Sequence, residues 1–96
     1  GAPAPDVVAV VSPTPVLPPA PDELSCRPGW LESQRGLLHD TDTPLGYLSC
    51  DKYIGGKLIY TLTTYRDGTF RLLKAFGPDA GVVEDPQEVA RVLALD

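Results

Sequence analysis

The stretch Leu45–Phe76, LGYLSCDKYIGGKLIYTLTTYRDGTFRLLKAF, determines the fold class of this chain. It contains three runs rich in Leu, Ile, Tyr and Thr, residue types that favour β-strands. The dipeptides Gly55-Gly56 and Asp67-Gly68 separate the runs, and both supply the positive φ angles that tight hairpin turns require. The stretch therefore predicts three antiparallel strands in a meander.

The second hairpin also predicts a strand register. If Asp67 and Gly68 are the only turn residues, counting outward pairs Arg66 with Thr69, Tyr65 with Phe70, Leu62 with Leu73 and Tyr60 with Ala75. Because side chains alternate along a strand, one face would carry Leu58, Tyr60, Leu62, Leu73 and Ala75. The other face would carry Ile59, Tyr65, Phe70, Leu72 and Phe76. Both faces would then be apolar, and each would need a cover.

The end of the chain predicts a helix. Asp85 is a favourable N-cap, Pro86 suits the first helical position, and Glu88 has the spacing of a capping box. An apolar stripe follows, formed by Val89, Val92 and Leu93. Residues 77–85 lie between this helix and the third strand, and their glycines and proline predict a loop.

Residues 28–39, PGWLESQRGLLH, predict a short helix. The apolar face rests on a partial i, i+3, i+7 pattern formed by Trp30, Leu31, Gln34, Leu37 and Leu38. Gly36 weakens this helix because glycine loses the most backbone entropy on folding. The polar run His39–Pro44 then predicts a loop.

Residues 1–25 predict an extended arm in front of a small domain at residues 26–96. Repeated prolines hold such a backbone extended and remove hydrogen-bond donors. Val7–Val11 is the exception, because it has high strand propensity and no proline. We expect it to pair with a sheet edge, either in its own molecule or in a neighbour. The expected fold is thus α+β: a three- to four-stranded antiparallel meander, a C-terminal helix and a Pro-rich N-terminal arm.

The two cysteines, Cys26 and Cys50, predict a disulfide. The bridge would close a loop of roughly 25 residues, which the loop-entropy estimate values at about 3 kcal/mol. Two buried reduced thiols are the alternative. A disulfide places the protein outside the cytoplasm, in a secreted, periplasmic, surface or virion setting.

The charge balance argues against nucleic acid as a partner. The formal net charge is −5, whereas nucleic-acid binding needs clustered Lys and Arg to neutralise phosphates. The chain also has no run of 18 apolar residues, so the sequence predicts no membrane span.

The sequence offers little for catalysis or metal binding. His39 is the sole histidine, and with Asp40 and Asp42 it supplies too few ligands for a structural zinc site or a calcium loop. Nucleophilic catalysis by Cys26 or Cys50 with His39 would require free thiols. We therefore expect no catalytic, metal or cofactor site.

The expected function is protein binding or assembly, as an accessory subunit of an extracytoplasmic or virion complex that docks through its arm and sheet. The alternative is a secreted inhibitor, effector or immunity-type protein that acts through the folded domain. The candidate partner-binding residues are Val7, Val8, Val10, Val11, Tyr60, Tyr65, Arg66 and Phe70.

Overall fold

The computed structural model describes residues 23–40 and 42–96. They form one antiparallel sheet in the order β1-β2-β3-β4-β5, followed by one helix. The elements are β1 (Leu31–Leu38), β2 (Leu45–Ile54), β3 (Lys57–Tyr65), β4 (Phe70–Lys74), β5 (Gly81–Val82) and α1 (Pro86–Leu93). The predicted meander and C-terminal helix are confirmed within a larger, five-stranded sheet. Residues 1–22 of the predicted arm, including Val7–Val11, lie outside the described residues.

The hairpin between β2 and β3 has the predicted two-residue turn. Ile54 pairs with Lys57, and the intervening Gly55 and Gly56 have φ angles of 61° and 80°. Positive φ at both central residues matches the twist of the flanking strands, and glycine adopts it without steric cost.

The hairpin between β3 and β4 corrects the predicted turn. Its loop has three residues, Arg66 to Gly68, rather than two, because the Tyr65 amide donates to the Thr69 carbonyl at 2.9 Å. Gly68 has a φ of 92° and donates to the Tyr65 carbonyl at 3.0 Å. This is the arrangement of a turn that closes with a left-handed residue and a bulge.

The longer loop shifts the β3–β4 register by one residue. Leu62 therefore pairs with Leu72 rather than Leu73, and Tyr60 pairs with Lys74 rather than Ala75. A one-residue shift moves every side chain of a strand to the opposite face. The predicted face assignment for β4 was thus wrong, and Leu72 lies in the core.

The predicted helix at residues 28–39 was also wrong, because residues 31–38 form strand β1. A bulge at Ser33, between Glu32 and Gln34, adds one residue to the strand. The extra residue interrupts the two-residue alternation of apolar and polar side chains. As a result, the spacing of the apolar residues resembled that of a helix. Residues 81–82, predicted as loop, form the short edge strand β5.

The C-terminal helix begins as predicted. Asp85 is the N-cap, its side chain accepts from the Gln87 amide at 3.4 Å, and Pro86 occupies the first turn. Glu88 binds Arg91 at 2.9 Å.

The core lies on one face of the sheet, beneath α1. Its buried side chains are Trp30, Leu48, Cys50, Tyr60, Leu62, Leu72 and Val92. Val89 and Leu93 of α1 pack against this cluster. We call this side of the sheet the helix face and the opposite side the open face, because no helix or strand in residues 23–40 and 42–96 lies over the latter.

The chain segments at both ends of the domain are attached to the same face. Cys26 forms the predicted disulfide with Cys50 of β2. The Trp30 indole donates to the Leu95 carbonyl at 3.4 Å. These contacts bring the segments before β1 and after α1 together over the core.

Candidate docking surface

The centre of the open face is a network of hydroxyl groups and one carboxylate. The Ser49 and Thr63 hydroxyls share a hydrogen bond of 2.8 Å. Asp51 accepts from Thr61 at 3.0 Å and from Ser33 at 3.1 Å. These side chains bind one another across three strands, so the face is polar at its centre yet already satisfied.

This network was missed by the sequence interpretation, although a signal was present. Ser49 and Asp51 alternate with the buried Leu48 and Cys50, which places the polar pair on the face away from the core. Alternation of apolar and polar residues along a strand is typical of a sheet that is covered on one face. The expectation of two apolar faces therefore does not hold for β2.

Aromatic side chains border the network at one end. Tyr47 of β2 pairs directly with Tyr65 of β3, and both are half-buried. The Tyr47 ring also extends over β1, where a Cβ added to Gly36 would lie 3.4 Å from the tyrosine hydroxyl. Gly36 thus leaves room for the ring, which packs over backbone that carries no side chain of its own.

The candidate residues of the β3–β4 hairpin fall on different sides of the sheet. Tyr65 lies on the open face, Arg66 lies in the exposed loop, and Phe70 lies on the helix face with 48% of its surface exposed. They share one end of the molecule without forming a single surface. Val7, Val8, Val10 and Val11 lie outside the described residues.

Tyr60 serves the core rather than a docking surface. It is 4% exposed, and its hydroxyl lies 3.4 Å from the guanidinium of Arg91 on α1. Its contribution is to hold the helix on the sheet, and a partner has almost no access to it.

The tip of the β2–β3 hairpin exposes a second set of apolar side chains. Tyr53 and Ile54 are 49% and 47% exposed. Phe76 is 49% exposed and lies under the Lys57 ammonium, 4.7 Å from nitrogen to ring centroid. Lys57 pairs with Ile54, so these groups meet at the end of the hairpin.

An ion pair on β1 lies close to the first residues that the structure describes. The Arg35 guanidinium binds the Glu32 carboxylate through two nitrogens, at 2.8 and 3.1 Å. This hydrogen bonding holds the pKa of Glu32 below its usual value. Arg35 also donates to the Leu24 carbonyl at 2.8 Å, and this bond fixes the residues before Cys26 against β1.

The groups considered for catalysis do not assemble into a site. Cys26 and Cys50 are joined to each other, so neither presents a thiolate. His39 is exposed after β1. Within residues 23–40 and 42–96, no three His, Cys, Asp or Glu side chains cluster in a way that could hold a metal ion.

A shallow groove between β4, β5 and α1 is lined mainly by acidic residues. Its polar lining comprises Lys74, Asp79, Glu84, Asp85 and Glu88. The carboxylates face solvent, and Asp85 and Glu88 are already engaged with the helix start and with Arg91.

No protein-family model, curated protein or solved structure matches this chain. Across the part of the chain that the structure describes, no helix has the length and apolar character needed to cross a membrane. The disulfide fits a location outside the reducing cytoplasm.

Proposed function

We propose that this chain is a non-catalytic protein-binding module that assembles into a complex outside the cytoplasm through its N-terminal arm and its sheet. The observation that supports the proposal is the one-sided core. All the fully buried side chains lie on the helix face, so the open face and the outer edge of β1 remain as large surfaces without cover from any described helix or strand.

The composition of these surfaces also suits protein contact. Leu31 and Val82, at opposite sides of the sheet, are 63% and 51% exposed, and Tyr65 and Tyr47 border the polar centre. Tyrosine is enriched in protein interfaces, because its ring buries apolar area while its hydroxyl keeps a hydrogen bond. The arrangement favours contact with another protein over enclosure of a small molecule.

The test is photo-cross-linking of the full chain in the organism that produces it. A photo-reactive amino acid replaces Arg71, which is exposed on the open face, and in a matched variant it replaces Ala90, which is exposed on α1. We expect a discrete protein adduct from position 71 and none from position 90. A chain that stays monomeric in sedimentation velocity, and that yields no adduct from Arg71 or from Gln34 on β1, would contradict the proposal.

The hairpin tip supports a second candidate, a secreted inhibitor or effector. Tyr53 and Ile54 are exposed beside the two-glycine turn, and Cys50 ties the same strand to the disulfide. An exposed apolar loop on a cross-linked scaffold suits insertion into the cleft of another protein. The same experiment separates the two candidates, because an inhibitor would give its adduct from a photo-reactive residue at Ile54 and not at Arg71.

A further inference from the structure

The two edges of the sheet differ in how they are protected. Strand β5 has only two residues, whereas β1 has eight and pairs with β2 alone among the described strands. A long edge strand presents unpaired N–H and C=O groups that can accept another strand, and proteins usually shorten such edges or interrupt them. Within residues 23–40 and 42–96, the outer edge of β1 is therefore the longest strand edge that has no neighbouring strand.

Five residues of β1 form a regular stretch suited to pairing. The bulge at Ser33 interrupts the first part of the strand, and the register from Gln34 to Leu38 is continuous. This stretch contains no proline and no lysine, and it exposes 47% of Leu37. An apolar strand added here would cover Leu37 and extend the sheet.

The chain outside the described residues contains one segment of matching length and character. Val7–Val11 has five residues, four of them valine, and carries no charge. Val7, Ala9 and Val11 would point to one face of an added strand, and Val8 and Val10 to the other. Apolar side chains on both faces suit an edge that has Leu37 on one face and Leu38 on the other.

The described chain also begins beside this edge. Arg35 holds the carbonyl of Leu24, and the disulfide of Cys26 fixes the next turn of chain to β2. The arm therefore enters the domain next to the Gln34–Leu38 stretch. Residues 1–25 carry three acids and no base, and residues 26–96 carry eight bases and ten acids, so the contact rests on burial of apolar side chains and not on charge attraction.

The connection between Val11 and Glu23 favours a second molecule as the acceptor. Residues 12–22 contain five prolines, and proline-rich segments extend by roughly 3.1 Å per residue and resist folding back. An extended connector of 11 residues spans about 34 Å at that rise. To bring Val7–Val11 to β1 of its own molecule, the connector would have to reverse its direction sharply. An extended connector can reach β1 of a second copy without such a reversal.

We propose that Val7–Val11 of one copy adds as a strand to Gln34–Leu38 of a second copy, and that the exchange is reciprocal. This inference rests on the proposed function and names its partner: a second copy of this chain. A two-fold exchange makes each contact twice and closes the assembly as a dimer.

The first test measures the mass of the full chain by sedimentation velocity across a wide concentration range. We expect a dimer, and we expect the double substitution Val8→Asp with Val10→Asp to weaken it about tenfold or more, because two charges would enter an apolar contact. Val16→Asp is the matched control, with the same change of residue inside the connector, and it should leave the dimer constant unchanged.

The second test uses complementation. Leu37→Lys damages the acceptor edge and leaves the arm intact, whereas the Val8→Asp, Val10→Asp chain has the opposite defect. Each should be monomeric alone at concentrations where wild type is dimeric. Their mixture should form heterodimers that are weaker than the wild-type dimer, since one of the two arm–edge contacts is intact. A mixture that associates no more tightly than either variant alone would overturn strand addition between copies.

The third test maps the contact. A photo-reactive amino acid at Leu37 of the full chain should give a covalent dimer whose cross-linked peptide contains residues 7–11. A cross-link to those residues within a single chain would overturn the second-copy assignment. A dimer unaffected by the arm substitutions would overturn this inference and leave the proposed binding function standing, whereas a monomer with no adduct at any position would overturn both.

Discussion

At the scale of single residues, Lys52 shows how this small domain uses a buried charge. It is 7% exposed on the helix face, and its ammonium donates to the Gly29 carbonyl at 3.0 Å and to the Asp96 carbonyl. Gly29 has a φ of 83°, and a Cβ at this position would collide with the Asp96 backbone. Lys52 thus joins the segment before β1 to the segment after α1.

We expect Lys52→Met to destabilise the fold by about 1–3 kcal/mol, because two partly buried carbonyls would lose their donor. The free energy of unfolding in urea measures this loss. Lys57→Met is the control: Lys57 is exposed and loses only its cation–π contact with Phe76, so stability should change by no more than about 1 kcal/mol. Equal losses in the two variants would contradict the assigned role.

Asp67 is the second residue with a defined electrostatic role. Its carboxylate accepts from the Thr69 hydroxyl at 2.6 Å and from the Thr69 amide at 3.0 Å. These bonds favour the ionised form and lower the pKa of Asp67. Because the folded pKa is lowered, the stabilisation is present above the ordinary pKa of aspartate and is lost as the pH falls through the folded value.

Removing the Thr69 hydroxyl should therefore raise the pKa of Asp67. In Thr69→Val the amide bond remains, so we expect the pKa to move towards its ordinary value without reaching it. An NMR titration of the Asp67 carboxyl carbon gives the result directly. Thr63→Val, which alters a hydroxyl on the open face, should leave the Asp67 titration unchanged, and an unmoved pKa in Thr69→Val would refute the assignment.

At the scale of elements, the three-residue loop decides which side of β4 enters the core. Leu72 is 1% exposed and pairs with Leu62, whereas Leu73 is half-buried on the open face beside Val82. The sequence fits either register, because Leu72 and Leu73 are adjacent and identical. Gly68 has a positive φ in either turn, and the hydrogen bond from the Tyr65 amide to the Thr69 carbonyl distinguishes the three-residue loop.

This register makes a direct prediction about adjacent leucines. Leu72→Ala should destabilise the domain by about 2–5 kcal/mol, because it leaves a cavity in the core. Leu73→Ala should cost about 1 kcal/mol, because its site is partly solvated. Thermal and urea unfolding of the two variants test the assignment, and a larger loss for Leu73→Ala would support the two-residue turn instead.

Among the elements, β2, β3 and α1 were predictable because their signals are local. The Gly55-Gly56 turn and the Asp85-Pro86 start each specify backbone geometry through the residues themselves. Strand β1 was not predictable, since the Ser33 bulge hides its alternation and its pairing partners lie on β2, as with Gln34 and Ser49. An edge strand takes its conformation largely from the neighbour it pairs with.

At the scale of the whole molecule, the disulfide fixes the entering chain to the centre of the sheet. Cys26 and Cys50 are 24 residues apart in sequence, and Cys50 is 3% exposed. The bridge encloses β1, which otherwise contacts only β2 among the described strands. A domain this small gains a large share of its stability from such a cross-link.

Replacement of both cysteines should therefore cost about 3 kcal/mol. The comparison is urea unfolding of the wild type and of Cys26→Ala with Cys50→Ala. A reductant should lower the wild-type midpoint and leave the double variant unchanged. Protein recovered from its native compartment should have a mass two hydrogens below that of the free-thiol form, and intact thiols would contradict a location outside the cytoplasm.

The three central strands and the helix follow from the sequence alone, because each depends on local geometry. The sequence predicted the Cys26–Cys50 disulfide but left two reduced thiols as the alternative, and the structure shows the bridge. The sequence also supplied the candidates Tyr65, Arg66 and Phe70, and it could not separate them from the buried Tyr60. The β4 register, the strand β1 and the hydroxyl network of the open face emerge only in three dimensions. These features depend on pairings between residues that are distant in the sequence. Such pairings are set by which strands compete for the same neighbour and by which face of the described sheet α1 covers.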